Sequence, residues 1–211
     1  ANLLSGASFA ARMVEFEQAW TIALRDAGLA DAQTAQVALD GIAGFTPDIV
    51  DLGAGSDRDG LPVPALVKQL KASTGEGAIA IHRGATSQDV IDTAIVLCLL
   101  GVLDLMESRL QGISDQLVQL AKAHDAKPLM GRTRMQAANP ITVGDRVAAW
   151  TAPVSGALLR IPALRAEIGK VQYGGAVGNR AGVYGQGDVI AASLGRTLGL
   201  AHDHPVWHSD R

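Results

Sequence analysis

The chain is built around Asp92-Thr93-Ala94-Ile95-Val96-Leu97-Cys98-Leu99-Leu100-Gly101-Val102-Leu103. From Ala94 to Leu103 every residue is apolar or glycine, so no side of that segment suits water. A helix apolar all round belongs inside a bundle or a membrane. The run is ten residues long, and a bilayer needs about 20. It therefore reads as the interior of a helical bundle. Leu99, Leu103, Met106, Leu110, Ile113, Leu117 and Leu120 continue it at spacings of 4, 3, 4, 3, 4 and 3. That is the heptad pattern of a helix packed along its length against other helices. One helix from Asp92 to His124 is predicted, about 50 Å long at 1.5 Å per residue.

Ahead of this helix lies a polar stretch, His82-Arg83-Gly84-Ala85-Thr86-Ser87-Gln88-Asp89. It brings hydroxyls and amides to a helix N-terminus, where free N–H groups and the helix dipole favour anions. The functional reading of Thr86 to Asp89 is a carboxylate cradle. An ordinary N-cap uses the same residue types.

Further upstream, Ser8 can cap a helix carrying Met13, Phe16, Trp20 and Leu24, with Gly28 as its stop. Asp31 to Ile42 reads as a second helix. Residues 43–61, rich in Gly and Asp, read as a loop with a short turn at Asp48 to Leu52. Pro62 and Pro64 introduce a helix from Ala65 to Ser73. A boundary near residue 90 separates a small N-terminal helical domain, 1–90, from a long-helix central bundle, 91–211.

Downstream, Gly131-Arg132-Thr133-Arg134-Met135-Gln136-Ala137-Ala138-Asn139-Pro140 is read as the start of another helix. Arg presents a planar fork that pairs bidentately with carboxylates. Arg132, Arg134, Gln136 and Asn139 could thus bind a polyanionic acid. Surface or intersubunit salt bridges are the alternative. Val143 to Ile168 keeps helical periodicity, with Pro153 and Pro162 expected to kink it. Residues 172–187 hold six glycines and read as a turn-rich connection. Asp188 caps a last helix through Leu198. No strand pattern of useful length is found, so the expected class is all-α.

Composition excludes several functions. Among 211 residues, 48% are apolar, 4% aromatic and 18% charged, with a net charge of −3. The charged share lies below the ~25% usual for soluble domains, which points to surface buried between subunits. The acidic balance calls for no nucleic acid. One cysteine, Cys98, excludes an intrachain disulfide and points to a reducing compartment. The N-terminal ten residues show no signal peptide. A soluble cytoplasmic protein without a membrane role is the expectation. Gly174-Gly175-Ala176-Val177-Gly178 follows a helix pattern, whereas a dinucleotide loop follows a strand. His202, His204 and His208 fit no zinc spacing. No metal and no organic cofactor is expected.

Together these stretches are more specific than any one alone. The sequence resembles the fumarase/aspartase superfamily. His82 to Asp89 followed by Val90-Ile91-Asp92-Thr93-Ala94 looks most like its 3-carboxy-cis,cis-muconate cycloisomerase branch. Gly131 to Pro140 looks like the superfamily's second signature. Gln172 to Gly178 and Val206-Trp207-His208 are also similar to that branch. The resemblance implies an L-aspartase/fumarase-like fold and a homotetramer whose active sites draw on several subunits. It implies a small polycarboxylate substrate and a carboxylate that adds across a C=C bond to close a lactone. Seen backwards, that is a β-elimination. On this basis Arg134 and His82 are the candidate catalytic residues. Thr86, Ser87 and Gln88 would bind one carboxylate. Thr133 and Gln136, from a second subunit, would bind another, and Arg211 would line the same pocket.

Two departures from the family pattern stand out. Family members place His at the position of Arg134, or three residues on, where this chain has Ala137. Arg stabilises charge but is a poor proton donor, its pKa staying above ~12. The Gly-Ser-Ser loop that supplies the family's general base is not found, so the C-terminal part of the bundle is expected beyond Arg211.

Overall fold

The computed structural model describes residues 2–207. The chain forms two compact units, Ala1–Leu100 with Ile168–Arg211, and Gly101–Glu167. Among the described residues the fold is all-α in its bulk, with one short hairpin. Arg211 lies outside the described residues.

In the first unit, α1 (Gly6–Asp26) starts at Ser5, whose side chain accepts from the Ser8 N–H; Ser8, the expected cap, is inside the helix. Its buried stripe carries Met13, Phe16, Trp20 and Leu24. Phe16 stacks on Trp20, and Trp20 meets Tyr173 edge-on at 5.0 Å between ring centroids. Helix α2 (Ala32–Ala43) is capped by Asp31, which accepts from the Thr34 N–H at 2.8 Å. The expected loop after it contains α3 (Ile49–Asp59), an 11-residue helix. Asp48 caps α3 by accepting from Val50 and Asp51, and Gly60 ends it in the left-handed conformation. Gly55 sits where α3 meets α4 (Val63–Ser73); a Cβ there would lie 2.6 Å from that of Ala65. Gly55 thus permits a close helix crossing. A 3₁₀ turn, Gly75–Ala80, leads into the polar stretch.

Helix α5 runs Ser87–His124, 38 residues, starting five earlier than the sequence predicts. Its apolar run buries Ala94, Val96, Leu97, Cys98 and Leu103. Residues 169–201 return through a parallel bridge, Lys170 to Ala201, and a 3₁₀ turn at Ala181–Val183. The last helix, α7 (Gly187–Leu198), is preceded by Gln186 at the N-cap, with Asp188 in its first turn. It packs on α1, and Ser193 Oγ donates to Asp26 at 2.7 Å.

The second unit holds residues 101–124 of α5, a hairpin and α6 (Val143–Ile168). The hairpin corrects the expectation that no strand is present. Strand β1 (Pro128–Thr133) pairs antiparallel with β2 (Gln136–Thr142), with a register shift between Met130 and Arg132. Gly131 fills that shift, because a Cβ there would meet the Asn139 carbonyl at 2.6 Å. Thr142 and Asp145 exchange backbone-to-side-chain hydrogen bonds of 2.8 and 3.0 Å and open α6 as a capping box. Pro153 and Pro162 lie inside one uninterrupted helix. Arg165 ties α6 to α5 through Asp104 at 2.8 Å and Glu107 at 3.1 Å. Helix α6 is long and apolar enough to cross a membrane, a test that the core helix of a bundle also passes. Its Trp150, Leu159 and Leu164 are exposed on the single chain, as are Met106 and Ile113 of α5.

Candidate functional site

The polar stretch before α5 is held in place by α1. Trp20 Nε1–H donates to the Arg83 carbonyl at 3.1 Å. The Arg83 guanidinium donates to the Leu29 carbonyl at 2.6 Å. Next to the anchored Arg83, His82 takes a φ of 58°, a left-handed conformation unusual for a residue with a side chain. Its Nδ1 lies 2.6 Å from Oε1 of Glu17, which is wholly buried.

The start of α5 is organised by Asp89, also wholly buried. Asp89 Oδ2 accepts from the Thr86 N–H at 3.0 Å, which closes the helix entry. Asp89 Oδ1 accepts from the N–H groups of Gly174 and Gly175 at 2.9 and 3.0 Å. Three backbone N–H groups thus converge on this one carboxylate. Thr93 Oγ1 accepts from the Gln172 N–H at 3.1 Å, and Gln172 Oε1 accepts from the Trp207 N–H at 2.7 Å. The Gln172 to Gly175 segment is therefore laced to the first turns of α5. Thr86, Ser87 and Gln88 are half-buried at that helix end. Gln88 Nε2 donates to Asp92 Oδ1 at 2.6 Å. The opening N–H groups of a helix have no intrahelical partner, so this turn can receive an anion.

Arg180 braces the same segment. Its Nε donates to the Tyr173 carbonyl at 3.0 Å, one terminal nitrogen donates to the His202 carbonyl at 3.2 Å, and the guanidinium lies over the Tyr173 ring. Burial, with the Asp89 charge, pushes the ionisation of Tyr173 far up, so it remains a neutral phenol. The His204 ring lies between two carbonyls, with Nδ1 2.6 Å from that of Pro205 and Nε2 3.1 Å from that of Ala201.

Thr133, Arg134 and Gln136 lie in the second unit. They sit at the hairpin end, not at a helix start. Thr133 pairs with Gln136, and Arg134 and Met135 form the two-residue loop at φ of 40° and 68°. All four are exposed. The loop aims a guanidinium into solvent from a strained backbone, a feature that gathers at functional sites.

The sequence itself matches a family model described as "Lyase" over residues 12–209. The chain belongs to that family, within the fumarase/aspartase superfamily. It is 31% identical to the 3-carboxy-cis,cis-muconate cycloisomerase of Acinetobacter baylyi, over 100% of this chain and 48% of that protein. A crystal structure of 3-carboxy-cis,cis-muconate lactonizing enzyme from Pseudomonas putida is 30% identical with a TM-score of 0.92, covering 100% of this chain and 49% of that one. A fumarate lyase from Mesorhizobium is 32% identical with a TM-score of 0.93, covering 98% and 49%. The chain thus spans about half the length of these relatives.

Sequence reading missed Glu17, Asp89 as a hub, and Tyr173. For Glu17 a signal existed. It lies four residues after Met13 and three before Trp20, on the apolar stripe of α1, where a carboxylate has no place for stability alone.

Proposed function

We propose that this lyase-family chain forms part of an enzyme that closes 3-carboxy-cis,cis-muconate to a carboxymuconolactone, a step in aromatic-acid breakdown. The observation that carries the reading is the polar turn His82 to Asp89, held on α1 and locked by Asp89 to Gly174 and Gly175. It stands at the head of a long helix in a chain similar to solved cycloisomerases. Thr86, Ser87 and Gln88 receive one substrate carboxylate at the N-terminus of α5. Thr133, Arg134 and Gln136 of another subunit receive a second, and His82 and Arg211 complete the pocket.

In the elimination direction, a proton leaves the carbon next to a carboxylate and the lactone C–O bond breaks. Negative charge builds on that carboxylate in the transition state. Pre-placed donors such as Arg134 stabilise it without reorganising. The chemistry needs neither a metal nor an organic cofactor. The exposed apolar side chains of α5 and α6 support a homotetramer, in which copies of these helices cover one another.

A fumarate-releasing lyase acting on a C–N bond, such as adenylosuccinate lyase, is the second reading. The likeness to a solved fumarate lyase favours it. A non-catalytic helical assembly of the same fold is a third. The test is to assay the whole gene product with 3-carboxy-cis,cis-muconate, following loss of the muconate absorbance, and with adenylosuccinate, following fumarate. Lactonisation alone bears the proposal out. Fumarate release alone replaces it with the second reading, and turnover of neither with the third.

A further inference from the structure

We infer that Glu17 is a positioning residue that sets the tautomer and orientation of His82, so that Nε2 is the ring nitrogen presented to the substrate. This rests on the reading of His82 as a substrate-facing group. Glu17 is on α1, 65 residues from His82, and the 2.6 Å contact between Oε1 and Nδ1 joins them. The Glu17 side chain is wholly buried, and that of His82 is 17% exposed. Oε2 of Glu17 is buried with no hydrogen-bond partner.

Stability does not account for this arrangement. Burying a carboxylate carries a desolvation cost, and a well-packed apolar residue at such a place is often neutral or stabilising. An orphaned acceptor adds a further penalty. The histidine is also held at unfavourable backbone geometry, with φ 58°. Trp20 and Arg83 fix the peptide beside it. Backbone anchors on one side and a carboxylate on the other thus converge on a single imidazole.

The chemical consequence follows from the ring. A carboxylate accepts and does not donate, so Nδ1 carries the hydrogen in this contact. In a neutral imidazole the other nitrogen then has the free lone pair. Nε2 is the position left for a ligand, and its role is set by the partner of Nδ1. A glutamine cannot enforce this, because its amide both donates and accepts.

The test is ¹⁵N NMR of the histidine rings in the whole protein, under conditions where His82 is neutral. His82→Gln assigns the signal. Wild type is expected as the Nδ1–H tautomer, and Glu17→Gln should shift it toward Nε2–H. Where Glu17→Gln fails to fold, Glu17→Asp withdraws the carboxylate by one methylene and should give the same shift. An Nε2–H tautomer in wild type, or no change in the folded variant, overturns the inference. Kinetics supply a second readout on whichever substrate is turned over. The folded Glu17 variant should lower kcat/KM on the order of ten- to a hundredfold, the scale of losing a carboxylate that orients a functional imidazole. In a His82→Gln background it should add no further loss, whereas a merely structural role would give additive losses. The tautomer arm needs no substrate. If neither acid is turned over, the proposed reaction falls while the Glu17–His82 assignment is still decided.

Discussion

Asp89 accepts a hydrogen bond from the backbone N–H of Gly174 at 2.9 Å, across 85 residues of chain. The same carboxylate takes Gly175 and Thr86 at 3.0 Å each. Asp89→Asn puts an NH₂ group where one oxygen now accepts, so a buried N–H loses its partner. An unsatisfied buried donor costs about 1–3 kcal/mol. Asp89→Asn is expected to lower the unfolding free energy by about 2 kcal/mol, and Asp89→Ala by more. Urea denaturation followed by circular dichroism measures both. A wild-type midpoint in Asp89→Ala would show that these bonds contribute no net stability.

Arg134 and Met135 form a two-residue loop with both φ values positive. Left-handed geometry costs roughly 1–2 kcal/mol at a residue with a Cβ, and Asn-Gly is the preferred pair in such loops. Arg134→Asn combined with Met135→Gly should therefore raise the melting temperature. On the proposed reaction, it should also slow turnover by about 10²–10³-fold, the scale of losing one donor aimed at developing charge. Stability and rate move in opposite directions. Unchanged turnover would remove Arg134 from the chemistry, and a lower melting temperature would show that the loop is not strained.

Asp26 links the end of α1 to α7. Its carboxyl sits below the ordinary 3.8, first because Ser193 Oγ donates to it, against the penalty of burial, with Arg25 and Arg196 adding to the lowering. A depressed folded-state pKa contributes stability that is fully present above the unfolded value. That stability is lost as pH falls through the lower folded one. Asp26→Asn should cost about 1 kcal/mol at neutral pH, a charged hydrogen bond discounted for partial exposure. The cost should shrink as pH drops below about 3.8. Unfolding curves of both proteins across that range provide the check, and a pH-independent difference would assign the effect to packing.

The long helices were legible because their apolar residues recur with helical period. Leu99 to Leu120 and Val143 to Ile168 keep one face each, whatever covers it. Helix α3 was not, because Gly53, Gly55, Asp57 and Asp59 are poor helix formers. Gly55 is there for its close approach to Ala65 and Asp48 for its cap, and both look like loop chemistry in sequence. The hairpin was hidden for a different reason. Residues 132–140 are exposed on both faces, so no alternation of apolar and polar residues marks the strands, and the bulge at Gly131 breaks what register there is. The His82 to Asp89 turn was readable as a polar run. Its partners Glu17 and Gly174 were not, since contacts across 65 and 85 residues leave no local trace.

Helix α5 carries an apolar face along its outer half. Met106 and Ile113 are each 49% exposed on the single chain, and Leu120 is 36% exposed. All three fall on the heptad seam, and scattered surface apolar residues would not repeat in that way. If copies of α5 cover one another, Ile113→Asp puts an unpaired charge in a dry interface, at a cost of several kcal/mol. On a monomer the same change touches water and costs little. Ile113→Asp is therefore expected to convert the assembly to smaller species, read by light scattering, with helix content retained. Gln119→Asp, exposed and off the seam, should leave the mass unchanged. A wild-type mass and melting temperature for Ile113→Asp would show that this face is not the assembly core.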